Sequence, residues 1–281
     1  MKKLKMWTKQ MGKMCRYKST GFGIAKRLLA VLTVSAMLVG CSAPAAVSDM
    51  IPKLLNKEDT SDMSSDGSSD DSYFVDIQKL REGNSDIFAW INVPDTSINY
   101  PVLQSWDGDD TYYATHNVLQ EEDPKGAIYI EAANLKDMCD FNTILHGASP
   151  DDGTMFAGLS NFLDRKFFEE HPYIYIYMDG NVLIYYTFAA FTREDKRLLA
   201  QYDFSYASGC QEFLDEIYQG RSMNKVIRSG WEDMVKPENF IITLSTQNNS
   251  SGKQTVVVGC LGGDVAGKID RYVDYGDGYS E

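Results

Sequence analysis

Three histidines and five cysteines are the side chains of this 281-residue chain best suited to chemistry near neutral pH. A thiol activated by an imidazole is an acyl-transfer nucleophile, and the same residue types, suitably spaced, ligate zinc. The zinc option fails on spacing: there is no CxxC pair and no Cys/His cluster, so no metal and no cofactor are expected. His116, inside TYYATHN (111–117), reads as a residue that orders a loop, and His171, in EEHP (169–172), as a structural residue before a strand. His146 and Cys260 remain as the imidazole and thiol that could act together, against a plainer reading as a rim histidine and a buried structural cysteine.

Strands must position these groups. The stretch 241–261, IITLSTQNNSSGKQTVVVGCL, has β-branched, apolar runs at 240–246 and 255–258, separated by polar turn chemistry at 247–253. Cys260 lies six residues beyond Gln254. An extended strand puts Cys260 about 20 Å from that position, too far for a nucleophile–base pair there unless the strand bends sharply. Upstream, 73–82 is apolar at helical spacing, while 90–93 and 98–100 read as strands joined by a Pro-Asp turn. YIYIY (173–177) and VLIYYTF (182–188) flank Asp179-Gly180, a strong hairpin signal because both residues tolerate positive φ. Phe213, Leu214 and Ile217 share one face of a helix over 211–218. No βαβ alternation and no internal repeat appears. The pattern predicts a mainly β domain, a closed, antiparallel-rich barrel with peripheral helices, including one at its N-terminus and one between the late strands.

Three segments, TLST (243–246), WINVPDTSINYPV (90–102) and NTILHGAS (142–149), together resemble the class B sortases. TLST (243–246) matches a family strand end, T-L-S-T-C, that carries the nucleophilic cysteine, and the arginine that opens the next strand falls on Gln254. WINVPDTSINYPV (90–102) is similar to the family opening W-I-x-I-P-x-T-x-I-x-Y-P-V, and 111–117 and 126–130 continue the pattern. NTILHGAS (142–149), followed by GTMFAGL (153–159), resembles N-T-x-I-Y-G-H-x … G-x-M-F-x-x-L. Without gaps, His146 takes the tyrosine position, Gly147 the glycine and Ala148 the catalytic histidine. The resemblance covers 73–261 and implies a thiolate attacking the threonyl carbonyl of a sorting-signal peptide, a histidine acid/base and a supporting arginine. Those three positions hold Gln247, Ala148 and Gln254. A carboxamide is not a thiolate substitute, alanine offers no proton, and Gln254 donates hydrogen bonds without charge. Three independent losses point to a site released from catalytic duty, with Thr246, Gln247 and Gln254 left as candidate peptide contacts.

The N-terminus carries a different message. Residues 1–40 contain nine Lys or Arg and no Asp or Glu, leaving 18 basic against 40 acidic residues in the remainder, a net of −22. So acidic a body disfavours nucleic acid. An apolar run at 28–39 follows Lys26-Arg27 and is short for a membrane span, which suits a signal peptide over 1–40. LVGC (38–41) resembles the bacterial lipobox, which implies lipidation at Cys41 and a lipid anchor on the extracellular face of a bacterial cytoplasmic membrane. The Ser/Asp-rich segment 41–72 cannot bury apolar surface and reads as a disordered tether reaching about 30 Å. With Cys15 lost and Cys41 modified, Cys139, Cys210 and Cys260 permit at most one disulfide. The chain is therefore expected to be a surface-displayed, degenerate sortase-like lipoprotein (tethered domain 73–281). Its partners would be a sorting-signal peptide, a pilin or another sortase. An active transpeptidase using relocated residues and a purely structural surface lipoprotein are the alternatives.

Overall fold

The computed structural model describes residues 75–222, 224–247 and 252–269. The expected signal peptide, Cys41, the tether, residues 73–74 and the turn at 248–251 lie outside the described residues.

The N-terminal helix is α1 (Ile77–Gly83), capped by Asp76, whose side chain accepts from Lys79 N, and anchored by buried Ile77 and Leu80. β1 (Ile87–Asn92) and β2 (Asn99–Leu103) follow, then α2 (Tyr112–Thr115), β3 (Ile128–Ile130) and β4 (Asn142–Ala148). A 3₁₀ helix (Ala157–Leu163) and α3 (Arg165–Glu170) lead into β5 (Tyr173–Met178) and the long β6 (Asn181–Glu194). After α4 (Leu198–Gln201) and α5 (Ala207–Gln219) come β7 (Val226–Ile227), β8 (Ile241–Gln247) and β9 (Lys253–Asp264).

The strands run in the order β5-β1-β2-β3-β4-β8-β9-β6, and β5 pairs with β6 to close the ring; β7 flanks β6. The result is a closed eight-stranded barrel, in which closure satisfies the strand edges. Six of its eight contacts are antiparallel, and β2/β3 and β4/β8 are parallel. The two-residue turn at Asp179-Gly180 joins β5 to β6 as its sequence implies, with Met178 opposite Asn181. Only its glycine, at φ +68°, needs the left-handed region. Alternation in β5 sends Ile174 and Ile176 into the core and leaves Tyr175 between them partly exposed.

β4 behaves differently: all seven of its residues are buried. Its Gly147 is a packing requirement, since an added Cβ would lie 2.4 Å from Ile128 Cδ1 and 2.8 Å from the Phe156 ring. α5 buries Phe213, Leu214 and Ile217, as its sequence spacing implies, and sets Tyr218 against Phe188 of β6. Beside it Arg228, 5% exposed, donates to the carbonyls of Thr187 and Phe168 and to the Glu169 carboxylate, tying the β7 segment to β6 and α3.

Candidate functional site

The parallel pairing of β4 with β8 builds the site. Its register puts Ala148 opposite Gln247 and His146 opposite Ser245. Because side chains alternate along a strand, these four point to one side of the sheet. Gln254 on β9 joins them: its Oε1 accepts from Ser245 Oγ at 2.5 Å. The three positions of the sequence resemblance, 148, 247 and 254, thus converge on one face, with His146 two residues from Ala148 on β4.

The polar groups there are committed to one another. Gln254, 4% exposed, donates through Nε2 to the carbonyls of Glu194 (3.0 Å) and Lys196 (2.9 Å). It therefore pins the turn after β6 instead of presenting a donor to a ligand. Thr246, 2% exposed, alternates to the other side, and its hydroxyl accepts from Thr255 N at 2.8 Å. Of the three candidate peptide contacts, only Gln247 is partly exposed. Its Oε1 accepts from Tyr129 Oη at 2.6 Å, a bond that reaches from β3 across β4 to β8. Its Nε2 is buried and meets no acceptor among the described residues. An unpaired buried donor of this kind costs about 1–3 kcal/mol.

His146 is held by a carboxylate. Its ring packs 5.4 Å from Tyr129, and Nε2 lies 3.1 Å from Glu131 Oε1, ion-pair range, though Nε2 makes no well-aligned hydrogen bond. Arg197 reaches Glu131 Oε1 from Nε (3.2 Å) and Oε2 from Nη2 (2.6 Å), and Nη2 also meets Asp110 at 2.7 Å. Burial alone would raise the Glu131 pKa, but the His146 and Arg197 contacts outweigh it and hold the carboxyl down at about 2. Burial raises the Tyr129 phenol well above its usual range, so it remains a neutral donor.

Among the described residues no thiol reaches this face. Cys260 pairs with Ile241 and with Tyr186, whereas His146 is level with Ser245, four residues further along β8. That offset alone is about 13 Å. Burial pushes the Cys260 thiol up to about 11, away from the reactive thiolate. Among the described residues, no disulfide links Cys139, Cys210 and Cys260 to one another. His116 and His171 take local roles: each Nδ1 contacts a carbonyl four residues earlier, Tyr112 O at 2.9 Å and Phe167 O at 2.7 Å. Among the described residues no group of three His, Cys, Asp or Glu side chains could hold a metal.

Beside the end of β4 a groove of about 690 Å³ opens between Thr96-Ser97 of the β1–β2 turn and Pro150, Gly153 and Gly158. No sequence motif marks Tyr129, Glu131, Arg197 and Asp110 as members of this cluster. Glu131 follows the apolar run 127–130 on the same side as Tyr129, and an acidic residue there is the one local signal. Arg197, 66 residues from its partner, carries none.

No family model matches the chain. Sortase B of Listeria monocytogenes is 33% identical over 174 residues, spanning 61% of this chain and 65%, just under two thirds, of that relative. Sortase B of Staphylococcus aureus is 30% identical over 179 residues, spanning 64% of this chain and 70% of the relative. Among solved structures, the Staphylococcus aureus sortase B–substrate complex superposes with a TM-score of 0.57 at 31% identity, covering 66% of this chain and 83% of that one. A mutant form of Clostridium perfringens sortase B gives 0.57 at 26% identity, covering 66% and 85%. Barrel and relatives agree on a sortase-like class. Within that class the chain belongs to the sortase B family.

Proposed function

We propose that this chain is a catalytically degenerate sortase B relative, lipid-anchored at Cys41 outside the cytoplasmic membrane, that holds an extended sorting-signal-like peptide without cleaving it. In that role it presents or protects the peptide for a working sortase during surface-protein or pilus assembly.

One observation carries the reading: positions 148, 247 and 254 converge on a single face, and none of them supplies a thiolate, an acid/base or a charge. Acyl transfer of this type needs all three functions. The nearby imidazole is already engaged by Glu131, and the Cys260 thiol is distant and protonated at neutral pH. The scaffold nevertheless keeps the family's strand pairing and a groove beside it, and a relative has been solved with its substrate.

Restoring the lost side chains tests this. Gln247→Cys alone should add little, because a thiol with pKa near 8.5 is mostly protonated and has no acid for the leaving amine. The combination Ala148→His, Gln247→Cys and Gln254→Arg should give slow acylation, seen as a covalent peptide adduct by mass spectrometry. The gain should be non-additive, since the three groups act as a unit. An adduct on the unmodified chain would count against the proposal.

A further inference from the structure

Of the three replaced positions, one retains hydrogen-bonding capacity that the described residues do not use. Ala148 has none, and both ends of the Gln254 carboxamide are occupied. Gln247 is half-committed: Tyr129 Oη donates to its Oε1, and Nε2 is left without an acceptor among the described residues. Among described residues His146 offers no comparable donor, since its Nε2 faces the Glu131 carboxylate.

We infer that Gln247 reads a backbone carbonyl of the bound peptide through Nε2, so that the position of the missing nucleophile has become the main polar anchor of a non-covalent peptide site. This inference rests on the peptide-holding role proposed above and assigns its specificity to one side chain. The chemistry fits the position. A nucleophile at 247 would approach a carbonyl carbon, and an amide N–H at the same place meets the oxygen of that carbonyl instead. Tyr129 is the positioning residue: an amide free to rotate would present oxygen as often as nitrogen, and oxygen repels a carbonyl. Nε2 is screened from solvent, so the ligand's oxygen reaches it as the surrounding side chains part, and pairing the orphaned donor favours that opening.

The test uses the full chain and two fluorescent probes: a threonine-containing sorting-signal peptide, and the same peptide with the threonyl carbonyl reduced to methylene. Fluorescence anisotropy should show the wild-type chain binding the carbonyl peptide about fivefold to tenfold more tightly, the effect of one hydrogen bond. Gln247→Glu is isosteric but only accepts when ionised, and it should lose that preference while keeping its thermal unfolding temperature. Gln247→Leu should lose it as well. Tyr129→Phe should cut it partly, because the amide can then turn. An unchanged preference in both Gln247 variants would overturn the inference and leave the peptide-holding role standing. Failure of the wild-type chain to bind either probe would overturn both.

Discussion

Replacing Glu131 with glutamine is the sharpest probe of how this face is held together. The carboxylate is 3% exposed and lies between the His146 ring and the Arg197 guanidinium. A carboxyl held at about 2 when folded, against roughly 4.3 when unfolded, contributes about 3 kcal/mol at neutral pH. The sign follows from the direction of the shift. Because folding lowers this pKa, the stabilisation is present above about pH 5 and disappears as the pH falls through the unfolded value towards 2. Glu131→Gln keeps the volume and removes the charge, and Asp110 retains a hold on the partly exposed Arg197. The expected loss of about 3 kcal/mol corresponds to a fall in Tm of about 6–12 °C for a fold of this size. Asp140 works in the opposite direction. Burial pushes its carboxyl up to about 6, so the wild-type profile mixes two trends, and the informative quantity is the difference between wild type and variant. Circular dichroism melts from pH 7 to pH 3 measure it. The gap should be widest at pH 7 and close in acid. A Tm equal to wild type at pH 7, or a gap constant down to pH 3, would refute the account of Glu131.

Arg228→Ala should cost about 3–5 kcal/mol, read as a lowered urea midpoint, because it removes a buried guanidinium and leaves the Phe168 and Thr187 carbonyls without their donor. Arg228→Lys should recover less than half, since one ammonium cannot reproduce the planar fork. At the N-terminus, Cys41→Ala should abolish incorporation of radiolabelled fatty acid in a bacterial host; undiminished labelling would remove the lipid-anchor proposal. Deleting 42–72 should leave Tm within about 1 °C, because that composition buries little. A large drop would mean that the segment packs on the barrel.

Much of the barrel was legible because its signals are local. The Asp179-Gly180 turn, the alternation at 173–177 and the apolar face of α5 are each written within a dozen residues, and each formed where expected. The parallel pairing of β4 with β8 was not, since its partners are about 100 residues apart and nothing within either strand names the other. The same reason hid the Glu131–Arg197 pair and the reach of Tyr129 to Gln247. Sequence resemblance located positions 148, 247 and 254. What each residue does there could be read only from three-dimensional partners: Gln254, an open donor on paper, is consumed by the carbonyls of Glu194 and Lys196.

The central claim is that a sortase B scaffold has given up its chemistry, and turnover tests it most directly. The purified full chain, incubated with a sorting-signal peptide and an amine acceptor, should yield no cleaved peptide, no transpeptidation product and no covalent adduct by liquid chromatography with mass spectrometry. Cleavage that disappears in His146→Ala or Cys260→Ala would contradict the claim and show that catalysis had moved to relocated residues.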